Sequence, residues 1–144
     1  MVELRVEVVP RWPFRLPAHG GGDGVMRRRG AIVERLLHLD GRPAVVRVAQ
    51  AGARSVLFGA RAQDRTGAEA AISRMRFALG IDDDLRPFWD LYRDDALVGP
   101  SLRRRPWLRV MRRPVAFEAL AWAICEQLIQ ISQALRVEAR IVRA

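Results

Sequence analysis

Residues 31–60 read AIVERLLHLDGRPAVVRVAQAGARSVLFGA. Taken alone, Ile32, Leu36, Leu37 and Leu39 could stripe a helix, and 25–39 is ambiguous on periodicity. Asp40-Gly41 decides the matter. A tight two-residue hairpin needs positive φ at both central residues, which Asp-Gly tolerates, and Val45, Val46 and Val48 follow it. The spacing predicts paired strands over 31–39 and 43–50 and a third over 54–60, with Gly52 in the turn between the last two. Residues 2–9 supply another strand, since Val2, Leu4, Val6 and Val8 alternate with Glu3, Arg5 and Glu7.

Working outward, Pro10 to Pro17 holds three prolines with Trp12 and Phe14 and must be extended or turning. His19-Gly20-Gly21-Gly22-Asp23-Gly24 reads as a flexible loop. Over 67–79 the period becomes helical, with Ala68, Ala71, Ile72, Met75 and Leu79 on one face and Gly80 as the C-cap. Asp82-Asp83-Asp84 opens a further helix with Phe88, Leu91 and Tyr92 as its apolar face, and Gly99-Pro100 breaks the chain again. Residues 101–113, SLRRRPWLRVMRR, form a basic linker with six Arg and no acid. Residues 115–142 then read as one helix, striped by Phe117, Leu120, Ala121, Ile124, Leu128, Ile131, Leu135, Ala139 and Val142. The fold class expected is α+β: an antiparallel sheet with flanking helices over 1–113, then the start of a helical domain over 114–144. That second part is too short to bury a core alone, so the chain reads as cut short.

Composition limits the function classes. The 144 residues are 50% hydrophobic and 28% charged, too apolar for a disordered chain. No apolar run reaches the ~18 residues of a membrane span, and the alternating N-terminus is no secretory signal. The single cysteine, Cys125, fits a reducing cytosol. The net charge is +9, and all 25 basic residues are Arg, whose planar fork of donors suits phosphate. Nucleic acid is therefore the first candidate partner.

The motifs narrow this further. HGGGDG lacks the Gly-Lys-Ser/Thr that a phosphate-binding P-loop needs, so it reads as a plain loop. The three aspartates at 82–84 are explained by a helix start rather than a metal, and His19 and His38 have no partner at zinc-ligand spacing. Cys125 reads as a buried inert thiol on a helix. Glu118 and Glu126 read as the polar face of the last helix, not as a catalytic pair. The strongest physical lead is Arg103, Arg104, Arg105, Arg109, Arg112 and Arg113, with Trp107 packed below them. They form either a set of phosphate contacts or a solvated basic face.

Phe117 to Gln127 reads FEALAWAICEQ, followed by Leu128-Ile129. Upstream stand DDDLRPFWDLYRDD, LVGP and RRPWLR. Together these resemble the 3-methyladenine DNA glycosylase II family of the helix-hairpin-helix glycosylase superfamily. Its members show a PFEALVxAILGQQ-like segment at the start of their helical domain, after a sheet domain likened to half a TATA-binding-protein fold. The resemblance is specific mainly over 82–144. It implies base excision repair in the bacterial cytosol, at the nucleoid: flipping of an alkylated purine out of double-stranded DNA and hydrolysis of its N-glycosidic bond. It implies no cofactor, no metal, no membrane and a monomeric complete protein. Leu128 matches the apolar wedge that fills the gap left by the flipped base, and Gln127 the Gln before it, near the lesion. Trp12 and Phe14 match loosely an N-terminal aromatic near the pocket. The family breaks its helix near Leu128 and exposes that residue. This sequence departs from the pattern with Glu126 where the family commonly has Gly, and with Gln130 where a Ser, Thr or Asp cap is common. The family's catalytic Asp and Gly-rich hairpin lie downstream of the matched segment. The 144 residues alone are therefore expected to bind DNA weakly and not to excise bases. The alternative expectation is a non-catalytic module that binds nucleic acid or a partner protein.

Overall fold

The structure, a computed structural model, describes residues 1–18, 22–52, 54–127 and 129–144. His19, Gly20 and Gly21 of the glycine-rich stretch, and Leu128, lie outside the described residues. Five strands, β1 (Val2–Val8), β2 (Met26–Arg29), β3 (Ile32–Leu39), β4 (Arg42–Gln50) and β5 (Val56–Ala62), form one sheet in the order β1-β5-β4-β3-β2. Every neighbouring pair is antiparallel.

The Asp-Gly turn behaves as its chemistry requires. Asp40 and Gly41 both take positive φ, 50° and 77°, and Leu39 pairs with Arg42 across the hairpin. Strand β2 was not legible, because Met26–Arg29 reads MRRR and has no alternation. Backbone pairing with β3 and a left-handed Gly30 make it a strand, and its arginines suit an exposed sheet edge.

Helix α1 (Arg65–Leu79) covers one face of the sheet. It begins two residues before the apolar period does, because the Asp64 carboxylate accepts the Gly67 N–H at 2.7 Å. It ends at Gly80, whose φ of 59° turns the last N–H back onto Arg76 and Phe77 carbonyls. Ala68, Ala71, Ile72, Met75 and Leu79 meet Val33, Leu37, Val46, Val48, Val56 and Phe58 in the core. The extended segment 10–17 closes the core's side with buried Phe14 and Leu16. It is pinned by Gln50, which accepts the Leu16 N–H and donates to the Phe14 carbonyl. The opposite sheet face stays open, with Leu36 and Leu57 exposed beside a Glu34–Arg47 pair at 2.6 Å.

Beyond α1 lie α2 (Arg86–Tyr92), α3 (Gly99–Arg104), α4 (Ala116–Cys125) and α5 (Ile131–Ile141). Of the three aspartates expected to open α2, only Asp84 does so, accepting the Arg86 N–H at 3.0 Å. Asp82 instead pairs with Arg76 and Asp83 with Arg112, tying the chain after α1 to the linker before α4. The expected apolar face of α2 is not buried: Phe88, Leu91 and Tyr92 are exposed, and Phe88 packs on Tyr92. Gly99-Pro100 starts α3 rather than merely breaking the chain, because proline is compatible with a first helical turn whose N–H groups have no partner.

Candidate nucleic-acid interface

The single helix expected over 115–142 is two helices. Helix α4 stops at Glu126, whose N–H reaches the Trp122 carbonyl, and the Gln127 N–H bonds back to Ile124. Gln130 is then extended, with ψ of 141°, and starts α5 with no side-chain cap. The periodicity hid this break because no Gly or Pro marks it, and steps of three and four can be read across it. Gln127 stands exposed in the turn, and Ile129 and Ile131 beside it are exposed too. The turn thus offers a polar side chain flanked by apolar ones. Leu128, matched above to a wedge, lies outside the described residues.

The stripe read from the sequence does not face a core here. Phe117 is 78% exposed, and Leu120 and Ile124 are also exposed. The inward residues are Trp122 of α4 and Ala134 and Glu138 of α5. Cys125, expected buried, is only half-buried.

What seats α4 is polar. Strand β3 points Val33, Arg35 and Leu37 inward, so a guanidinium occupies a core beat of the sheet. Arg35 donates to the Glu118 carboxylate in the first turn of α4. Arg113, just before α4, donates to Glu118 at 3.2 Å and to buried Asp23 at 2.6 Å, and lies over the Trp122 ring. The Trp122 indole N–H donates to the same Asp23 oxygen at 2.8 Å, while the other oxygen accepts the Val25 N–H. Glu118, expected on a solvated polar face, is therefore part of a buried network. Four separate segments meet there: the loop before β2, strand β3, the linker and α4. A cavity of 330 Å³ opens beside it, walled by Met75, Met111 and Leu135 as well as by these ions.

The electrostatics follow from burial and pairing. Burial pushes the Asp23 carboxyl up, but the bonds from Trp122, Arg113 and Val25 outweigh it and leave it below the usual aspartate range. Burial pushes the Arg35 guanidinium down, and Glu118 opposes this. For Arg113 burial acts downward, but Asp23 and Glu118 carry it above its ordinary value. Glu138 is the exception. It is fully buried, and neither carboxylate oxygen has a hydrogen-bond partner among the described residues. Burial raises it, Glu126 and Asp23 raise it further, and Arg113 opposes them. Sequence inspection missed Asp23, Arg35 and Glu138. Arg35 had a signal, because it sits on the inward beat of an alternating strand. Glu138 had none, because the helix break resets the phase of α5.

The arginine cluster divides in two. Arg109 donates to the Gly80 and Pro13 carbonyls, at 2.5 and 2.6 Å, and lies over Phe14. Arg112 pairs with Asp83 at 2.8 Å and covers Phe77. These two and Arg113 hold the linker against the sheet domain. Arg103, Arg104 and Arg105, by contrast, are exposed at the end of α3. Arg103 donates to the Arg93 carbonyl and Arg105 to the Ser101 hydroxyl, so part of each fork remains open to solvent. Trp107 is only half-buried and lies under Arg15 rather than beneath the cluster. Among the described residues no three His, Cys, Asp or Glu converge as metal ligands. Nor, among them, is any helix long and apolar enough to cross a membrane.

No protein-family model matches the chain. Over 64 residues it is 34% identical to a DNA-3-methyladenine glycosylase of Bacillus subtilis (strain 168), a match covering 44% of this chain and 21% of that protein. The solved 3-methyladenine DNA-glycosylase from Archaeoglobus fulgidus superposes with a TM-score of 0.81 at 17% identity, over 96% of this chain and 50% of that one. At that identity the likeness is one of fold. The chain thus spans about half the length of the solved structure it resembles.

Proposed function

We propose that the chain belongs with the 3-methyladenine DNA glycosylases, over the N-terminal portion of that family, and that it seats double-stranded DNA for repair of alkylated bases; the partial match to the Bacillus subtilis protein and the shared fold support this. The observation that carries this reading is the break between α4 and α5. It presents Gln127 in an exposed turn among exposed apolar residues, on helices held to the sheet by a buried ion network.

A turn of this kind suits an enzyme that works on an extruded base. Flipping a nucleotide leaves a gap in the stack, and an apolar side chain can fill it while a neighbouring amide bonds the exposed base edges. Leu128 and Gln127 are assigned those two roles. Arg103, Arg104 and Arg105 are assigned to phosphates, which orient the duplex without reading its sequence. Arg109, Arg112 and Arg113 act from behind, by fixing the linker. The acid that assists hydrolysis of the N-glycosidic bond in the family, and the hairpin that binds DNA phosphates there, have no assigned counterpart among these residues. Base seating, not bond cleavage, is what these 144 residues are assigned. A cytosolic place at the nucleoid goes with this reading, as does monomeric action.

A second reading is favoured by one observation. Phe117, Leu120, Ile124 and Ile131 together expose an apolar surface that would suit a protein partner. Salt separates the two. DNA seating requires duplex affinity to fall linearly with log salt, and Leu128→Ala to abolish the fluorescence rise of a 2-aminopurine placed opposite a flipped base. An affinity that ignores salt would remove DNA from the account. Release of 3-methyladenine by the 144-residue chain would refute the assignment of cleavage to other residues.

A further inference from the structure

Two extended segments that are far apart in sequence run together on one side of the sheet domain. The Trp12 indole N–H donates to the Pro106 carbonyl at 2.8 Å, and Arg109 donates to the Pro13 carbonyl at 2.6 Å. Arg15 lies over the Trp107 ring at 5.3 Å, and Trp12 packs against Trp89 with ring centroids 5.8 Å apart. Arg11 and Arg54 flank the same Trp12 across an open hollow of 500 Å³ lined with prolines. The segments 10–17, 54–55 and 101–113 contain no acid at all. Several arginines elsewhere on the surface are neutralised in pairs, as Arg5 with Glu3, Arg47 with Glu34 and Arg65 with Glu69, while others, such as Arg27, Arg28 and Arg136, have no ion-pair partner among the described residues but are not gathered in one acid-free strip with Trp12 and Trp107. Along this strip Arg11, Arg15, Arg54 and Arg104 are exposed, and none has an ion-pair partner among the described residues.

We propose that Arg11, Arg15 and Arg54, continuing Arg103–Arg105 past the Trp12–Pro106 contact, form a phosphate track that holds the nucleic-acid backbone away from the α4–α5 turn. The physical case is charge complementarity on a fixed frame. Phosphates can take these open guanidinium forks without first breaking an ion pair, except at Arg103, which stands 4.0 Å from Asp94, and each contact releases condensed counterions from the duplex. Stacking on Trp107 holds the Arg15 guanidinium in place over the ring while leaving its donors at the edge. The track reads no sequence and no lesion. Its work is to keep the duplex bound while the turn samples bases. It rests on the duplex-seating reading for its partner and for Arg103–Arg105, and adds Arg11, Arg15 and Arg54, which that reading does not use.

The test is a salt titration of the 144-residue chain on unmodified duplex DNA, by fluorescence anisotropy. The parent is compared with Arg11→Ala/Arg15→Ala/Arg54→Ala. The control is Arg47→Ala/Arg61→Ala/Arg65→Ala, which removes the same charge from paired positions. The track variant should lower the slope of log affinity against log salt by about 3, roughly 1 per arginine. Its loss should be equal on normal and alkylated duplexes, and the control should keep most of the parental slope. A track variant with the parental slope overturns the proposal while leaving duplex seating intact. Equal losses in both triple variants also overturn it, since net charge alone would then explain binding. A parent that binds no duplex at all overturns the seating reading and the track together. Circular dichroism of each variant excludes misfolding as the cause.

Discussion

The sheet with α1 and the α4–α5 pair reach their places by different physics. In the first, apolar side chains of both layers interlock: Phe58, Met75, Leu79, Val46 and Val48 are all essentially inaccessible. In the second, the larger apolar side chains Phe117, Leu120, Ile124 and Ile131 stay in solvent, and the inward contacts are Trp122, Asp23, Arg35, Arg113 and Glu118. A core held by area tolerates imprecision in angle, while a network of charges and hydrogen bonds works only in one geometry. The difference teaches where orientation is specified. The ion network sets how α4 leaves the sheet domain, and hence where Gln127 is presented.

The sharpest way to break this comparison is Phe58→Ala. Removing a fully buried ring should cost about 3–5 kcal/mol and lower the urea midpoint of the sheet domain as a whole. Next comes Asp23→Ala, which removes the acceptor of the Trp122 N–H and leaves Arg113 with Glu118 alone. Breaking a buried pair costs about 3 kcal/mol, discounted because Arg113 is one-third exposed. Its signature is local: hydrogen exchange should quicken in α4 and α5 but not in β3–β5. Uniform quickening would mean that the two regions are one cooperative unit.

The pH responses of the two buried acids have opposite signs. Asp23 is depressed in the fold, so its contribution is present above the ordinary aspartate range and is lost as pH falls through its lower folded value. Glu138 is raised, so stability is complete below the ordinary glutamate range and is lost as pH rises through its higher folded value. Glu138→Gln should therefore match the parent in acid and exceed it in stability at neutral pH. Parallel urea stability curves from pH 4 to 8 would show that Glu138 is not held neutral. A smaller effect, about 1 kcal/mol of loss, is expected for Gly80→Ala, which forces a left-handed φ and sets its Cβ 2.8 Å from Asp83. Smallest is Phe117→Ser, expected within about 0.5 kcal/mol by thermal melting because the ring is already in water.

Legibility in the sequence followed the source of stability. Strands β1, β3, β4 and β5 and helix α1 were readable because their burial is one-sided and therefore periodic. Strand β2 escaped because its residues are held by backbone pairing alone. The helix break at 126–130 escaped periodicity for a related reason: no residue there carries an intrinsic stop signal. Only the resemblance, through the family's break beside the wedge, pointed to it. Of the site, Gln127 and Arg103–Arg105 were named in advance and do stand exposed. Arg109, Arg112 and Arg113 were named for phosphate and are bonded within the chain.

By itself, then, the sequence determined the hairpin at Asp40-Gly41, the one-sided sheet, the cap at Gly80 and a surplus of arginine. Each is a matter of local φ, of alternation or of composition. Which arginines remain available to an outside anion was decided only by tertiary structure. Arg35 and Arg113 are of the same residue type as Arg11 and Arg54, yet the fold brings carboxylates from 13 to 90 residues away to some guanidinium groups and, among the described residues, none to others. Coulomb attraction depends on distance in space, and the linear sequence does not contain that distance.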